Sequence, residues 1–358
     1  MRSKVAICAG WAVVVLGGLV WVQGCQTAGD ESAVEAAPPV AESPSVVEPS
    51  PEEQAGESDE PIELVLRFVP ERTTRFKVTT QTDRRIKWEG STAKKPAQFR
   101  GGNTGRTVEL IFAQRVERVE ADGRAVLKIT VEALKYQRIS QGKVVLDFDS
   151  TRPKDQNSAL ANLVGQSYKL EMTPQGEVLA LIDMAPARRA IAGATAAHRT
   201  AEGLLSDKVV RKRHEIACLV ARESKAADLQ DSWSKEIRFA FGMLGAKAYE
   251  RVYTLDRIEK APGGTQAVVV MKAIPSASGA SAAHEGPPAS PLVGMFDSTD
   301  RYEGELRFDL GAGQVGAYAE RLETEWVTAD PAAIQSGDTN PAVLRMSAIE
   351  SYRLERVE

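Results

Sequence analysis

Asp147, Asp149 and Asp155 make the best acidic cluster of this 358-residue chain for chemistry. Carboxylates at i and i+2 share one side of a strand, and with loop oxygens they make a hard-ligand set of the kind that holds calcium. All three are weak metal candidates. Asp and Ser also end strands and cap turns by binding backbone N–H groups. That structural role is the favoured expectation here.

The other chemistry-bearing residues are few. His198, His214 and His284 are the three histidines. They show no i, i+4 pair and no short spacing to a cysteine, so no zinc pattern forms. His284 lies in a low-complexity stretch and the other two sit among cations, so all three are expected as solvated side chains. No Gly-x-Ser-x-Gly elbow, phosphate-binding glycine loop or dinucleotide fingerprint occurs. The reading is therefore of a protein without a catalytic residue, a metal or a cofactor. Trp88, Trp233 and Trp326 could line a ligand-accepting face, although packing in the core is the expected role of each.

Cysteine usage points to an address and not to catalysis. Arg2 and Lys4 precede an apolar run from Val5 to Val22, and Val22-Gln23-Gly24-Cys25 follows it. A positive start, an apolar middle and a small residue before the cut make a secretory signal; on hydropathy alone the run is also long enough for an uncleaved membrane helix, the alternative that Cys25 disfavours. The last four residues resemble the lipobox of bacterial lipoproteins, with Gln23 a less usual choice. The resemblance implies that Cys25 is acylated and becomes the new amino terminus, giving a membrane partner through lipid. By the sorting pattern of such lipoproteins, Gln26 implies the outer membrane facing the periplasm. Cys8 would leave with the signal, and Cys218, between Ile216 and Leu219, is expected as a buried inert thiol. An exported chain with one remaining thiol has no internal disulfide, so its core stands on packing.

Charge separates the tether from the body. Residues 26–61 carry ten acids and no Lys or Arg, with many Pro, Ser and Ala and no aromatic residue. Such a segment buries too little apolar surface to offset its ordering entropy and is expected to stay disordered. As a flexible coil it would span roughly 30–36 Å. Residues 62–358 then hold 43 basic and 39 acidic side chains. That small, dispersed excess does not suit nucleic acid, whose grip needs clustered cations.

The elements that must position these residues are mainly strands. Ile62, Leu64, Leu66 and Phe68 alternate with more polar residues, the period of a half-buried strand. Further strands are expected over Phe76–Trp88, Val108–Val119, Leu127–Val131 and Val144–Phe148, and in a hairpin from Tyr168 through Gly176 to Ile182. Residues 89–106, with four glycines, read as a mobile loop. A short helix is expected from Asp155, with Leu160, Leu163 and Val164 on one side and Gly165 ending it. Between 186 and 224 alanine and basic residues replace β-branched ones, which predicts one or two amphipathic helices. Strands resume near Trp233 and run to Val357, interrupted by a low-complexity loop at 275–292 and a polar loop at 329–341.

Parts of the chain recur. The hairpin Tyr168–Ile182 has a counterpart from Tyr302 through Gly313 to Ala319. ERVEADGRAVLKITVEAL aligns with DRIEKAPGGTQAVVVMKAI at a similar offset, and Phe148-Asp149-Ser150-Thr151 returns as Phe296-Asp297-Ser298-Thr299. The organisation expected is a signal peptide over 1–25, a linker over 26–61, a first β-rich repeat over 62–184, a helical connector over 185–224 and a second repeat over 225–358. The fold class expected is α+β and β-dominated: long antiparallel strands in a curved, duplicated sheet packed on one or two central helices.

LVLRFVPERTTRFKV, VVLDFDS followed by SYKLEMTPQGEV, Asp231-Ser232-Trp233, and YEGELRFDLGAGQV occur in this order. Together they resemble a family of exported bacterial proteins known only as a domain of unknown function. Gln230 stands where that family more often has Gly. The resemblance implies a β-rich fold and brings no activity. The expectation that follows is a membrane-tethered, non-catalytic envelope lipoprotein that binds an apolar ligand or an envelope protein. An assembly factor without a small ligand is the alternative, and a hydrolase without a motif comes last.

Overall fold

A computed structural model describes residues 61–90, 101–222, 224, 226–241, 246–276, 296–330, 333 and 336–358. The signal peptide, Cys8, Cys25, linker residues 26–60, His284 and most of the 275–292 loop lie outside the described residues.

The chain folds as a large open antiparallel sheet with a few short helices. A two-residue strand β1 (Ile62–Glu63) comes first. The sheet then builds from β2 (Thr73–Glu89), β3 (Gly102–Val119), β4 (Ala125–Ser140) and β5 (Lys143–Asp149), followed by β6 (Ser167–Met172) and β7 (Val178–Ile182). Four helices come next: α1 (Met184–Ile191), α2 (Ala196–Leu204), α3 (Asp207–His214) and α4 (Ala217–Val220). The rest is β8 (Ala226–Ala227), β9 (Ser232–Ala240), β10 (Ala246–Ala261), β11 (Gly264–Pro275), β12 (Asp297–Asp309), β13 (Gln314–Ala329) and β14 (Val343–Val357). Strand order is β7-β6-β4-β3-β2-β14-β13-β12-β11-β10-β9, with β5 on β4 and β1 paired separately with β8. Each half is thus a meander running in the same sense, and β14 joins the halves through β2.

Register turns sequence alternation into rows across the inner face. Leu255, Val269, Leu306, Tyr318, Leu354, Val78, Leu110 and Leu134 are successive partners across eight strands, and all are buried. Side chains of one parity share a face, so this row is the floor of the core. The next row is mixed: Tyr253, Met271, Gly304, Glu320, Tyr352, Thr80, Val108 and Tyr136. The row beyond contains Leu322, Glu350, Thr82, Arg106 and Arg138. Polarity therefore rises in steps along the strands.

Several expectations are corrected. Only Ile62–Glu63 of the first alternating segment pair as a strand. Residues 64–69 form an extended strap, in which Leu66 N donates to Pro174 O at 2.7 Å and Arg67 N to Gly313 O at 2.8 Å. The strap thus links the tips of the two corresponding hairpins. Gly313 permits this with a φ of +61°, and a Cβ there would lie 2.5 Å from Arg67 Cγ.

The expected loop at 89–106 is strand from Gly102 onward, because the long β2 supplies partners as far as Ile86. The expected helix after Asp155 is two single 3-10 turns, Pro153–Asp155 and Ala161–Leu163, which still bury Leu160 and Leu163. The one or two connector helices are four short ones. Phe148-Asp149-Ser150-Thr151 and its second copy are not equivalent either: Asp149 ends β5, whereas Asp297 begins β12 and faces Val327 of β13. Gln230 takes a φ of +71°, a left-handed conformation that favours glycine.

Candidate functional site: a cleft between α3 and the inner face of the sheet

Helix α3 positions one wall. Asp207 in its first turn and Arg211, Lys212, Arg213 and His214 in its last complement the helix dipole. Lys208 and Lys212, four residues apart, share one side. Val210, Arg213 and His214 are buried. A cavity of about 490 Å³ lies between this helix and the sheet, lined by Lys208, Lys212, Ala217, Phe239, Tyr318 and Tyr352 among others. A second cavity of about 130 Å³ adjoins it, sharing Lys212, Phe239, Glu320, Glu350 and Tyr352 and adding Val78, Val108, Arg106 and Arg213. Together they form one cleft with an apolar floor and a charged margin.

A buried ion pair stands in its wall. Arg251 Nη1 donates to Glu320 at 2.7 and 2.8 Å and contacts the Tyr302 hydroxyl at 3.3 Å. Tyr318 also donates to Glu320. Burial works against the charge on Arg251, but the Glu320 carboxylate together with Tyr302, Tyr253 and Tyr318 more than offsets it, and the guanidinium is held protonated more firmly than in water. Burial first and Glu320 second push the Tyr302 and Tyr318 hydroxyls up. Arg251 Nε and the Tyr253 hydroxyl are buried without a hydrogen-bond partner. The arrangement offers fixed donors and no activated nucleophile.

The residues singled out by sequence lie elsewhere. Asp147, Asp149 and Asp155 come close together, but a cation of the protein occupies the space between them. Arg152 binds Asp147 Oδ2 and Asp155 Oδ2, each at 2.7 Å. Asp149 Oδ1 accepts from Thr151 N at 2.9 Å and from its hydroxyl at 2.7 Å, and these bonds hold its carboxyl below the usual range. Asp155 accepts from Asp149 N at 2.9 Å, which lowers its carboxyl as well. The cluster closes a turn. Among the described residues no group of three metal-ligating side chains is arranged to hold a metal ion.

His214 is a correction. It is buried, 2.8 Å from the Tyr168 hydroxyl and edge-on to Phe112 at 4.8 Å. Burial, then the charge of Arg213, drives its imidazole well below the ordinary value and keeps it neutral. His198 bonds through Nδ1 to the Thr195 hydroxyl at 2.7 Å at the exposed start of α2. Cys218 is buried, and burial pushes its thiol well up, so it is no nucleophile. Trp326 is buried against Phe241 and Trp233 stacks on Tyr253, while Trp88 is half-buried beside the core.

Sequence reasoning missed Glu320 and Arg251. Glu320 shares the parity of Tyr318, Leu322 and Trp326, and Arg251 that of Tyr249 and Tyr253. A charge on an apolar parity was the available signal. No family model matches the chain. No curated protein matches it either.

Proposed function

We propose that this is a non-catalytic binding protein, tethered to the cell envelope through lipid on Cys25, that receives an apolar ligand in the cleft under α3. The observation carrying the reading is the cavity of about 490 Å³ in which Ala217, Ile237, Phe239, Tyr318 and Tyr352 stand among the charged side chains of its margin, beside the buried row that runs from Leu255 to Leu134. Cofactor and ligand sites favour such concave places, mostly apolar with a few polar groups that set orientation. The buried Cys218 and the Glu320 carboxylate, paired with Arg251, supply no covalent or proton-transfer chemistry, which supports binding over hydrolysis.

Melting the full chain in phosphatidylcholine nanodiscs with rising dodecanol tests the cleft. A ligand of the native state raises the melting temperature with the logarithm of its concentration. The wild type is expected to show this and Ala217→Trp, which fills the cavity, is not. Equal behaviour of the two removes the reading. Labelled palmitate entering the wild type and not Cys25→Ser tests the tether.

A second reading has one observation in its favour. Among the described residues strand β9 bonds to β10 alone and ends the sheet order. An extended segment of an envelope protein could add to such an edge. Cross-linking in whole cells from Glu236 would then trap one recurrent partner.

A further inference from the structure

Arg213 is 6% exposed, and its guanidinium is incompletely served. Nη2 donates to Leu204 O at 2.8 Å and Nη1 reaches the Tyr168 hydroxyl at a long 3.4 Å. Among the described residues it forms no ion pair with a carboxylate. Buried charges are ordinarily paired, because an uncompensated one keeps the cost of leaving water. Arg251, the comparably buried cation of the same cleft, has Glu320. Arg213 has a cavity wall on both sides, since it lines the cavity of about 130 Å³ and also a small apolar one of about 50 Å³ under the strap.

A second feature lies one step outward on the same face. Arg106 and Arg138 are directly opposite each other on β3 and β4. Like charges in that position repel. Neither has an ion-pair partner among the described residues. Lys212 of α3 lines the same cavity as Arg106, and among the described residues its one ion-pair partner is Glu350 at 4.0 Å. Together the two cavities of the cleft are lined by six basic and three acidic side chains. Glu320 is already saturated by Arg251 and Tyr318.

We infer that the ligand of the cleft is a single-chain amphiphile with an anionic head, a carboxylate or a phosphate. Its chain lies over Val78, Leu110 and Tyr318, and its head is received by Arg213 with Arg106 and Lys212. This rests on the cleft reading above and adds the charge of the ligand to it. The head group supplies the counter-charge that Arg213 lacks, and Thr80 and Thr82, on the wall of the same cavity, add hydroxyl donors. Arg138 draws the anion to the mouth by long-range attraction, which salt weakens.

The test uses the full chain in phosphatidylcholine nanodiscs and three photoreactive probes of equal chain length: dodecanoate, dodecyl phosphate and dodecanol. Labelled peptides are mapped by mass spectrometry. A charge-assisted hydrogen bond is worth about 1.5–3 kcal/mol, so an acid should label peptides of α3, β13 and β14 roughly tenfold or more above the alcohol. The better acid identifies the head group. Arg213→Leu is expected to bring that ratio to about one. Because Arg213→Leu alters the interior, the surface variant Arg106→Gln/Arg138→Gln serves beside it and should lower the ratio several-fold. Equal labelling by acid and alcohol overturns the anionic head and leaves the cleft standing. Absence of labelling at the cleft by any probe overturns both. A preference untouched by either variant overturns the assignment to these arginines.

Discussion

Arg251 on β10 and Glu320 on β13 lie 2.7 Å apart although two strands, β11 and β12, run between them. Three strand spacings span about 14 Å in a flat sheet. The contact therefore requires the second half to curl toward its inner face. Phe241, at the end of β9, and Trp326 on β13 give the same result, with ring centroids 4.8 Å apart across four spacings. The curl makes the concavity over which α3 stands. Removing one partner of the pair should be severe: Glu320→Gln leaves a buried cation and is expected to cost about 3–5 kcal/mol in urea unfolding. The double variant Arg251→Met/Glu320→Leu should recover most of that. A single variant costing under about 1 kcal/mol would mean that the pair is solvated.

Gly304 sits on β12, between the strands of Arg251 and Glu320. It faces Glu320 on β13 and Met271 on β11, and a Cβ there would lie 2.6 Å from Ala319 O. Gly304→Ala is expected to destabilise the chain by about 1–3 kcal/mol, as overpacking does. Denaturation midpoints of the two proteins at matched slope measure it.

Stability should also fall in mild acid. His214 is held neutral in the fold, so below its ordinary value near 6.5 the unfolded chain binds a proton that the folded chain does not. Its contribution is complete above about pH 6.5 and is lost as pH falls from there toward the lowered native value, at no more than about 1.4 kcal/mol per pH unit. The groups around it are Arg213, which repels a second charge, and the neutral Tyr168 and Phe112. Melting curves from pH 8 to pH 5 should show this slope in the wild type and a flatter one in His214→Phe.

Calcium should not change the melting temperature. Arg152 already binds Asp147 and Asp155, and Thr151 occupies Asp149. Asp149→Ala, by contrast, should lower the melting temperature because the turn loses its acceptor. A rise with calcium in the wild type would show that the carboxylates can leave Arg152.

The strands were readable where alternation is long. The buried residues of β14 all share one parity from Leu344 to Leu354, and those of β13 do so from Tyr318 to Trp326, and that period survives any register. The strap was not readable, because Leu64, Leu66 and Phe68 alternate alike whether their backbone meets a ladder or two hairpin tips. His214 was misjudged from its cationic neighbours. The helical period instead places it with Val210 and Arg213 on the buried side. The cleft itself was out of reach, since Arg251 and Glu320 are 69 residues apart and meet only through the curl.

The account's central claim is that the space under α3 holds a ligand. Native mass spectrometry of the full chain released from nanodiscs, wild type beside Ala217→Trp, measures this most directly. The account predicts one added amphiphile per wild-type chain and a bare Ala217→Trp variant. A wild type that flies without an adduct, or a variant that carries the same one, would contradict it.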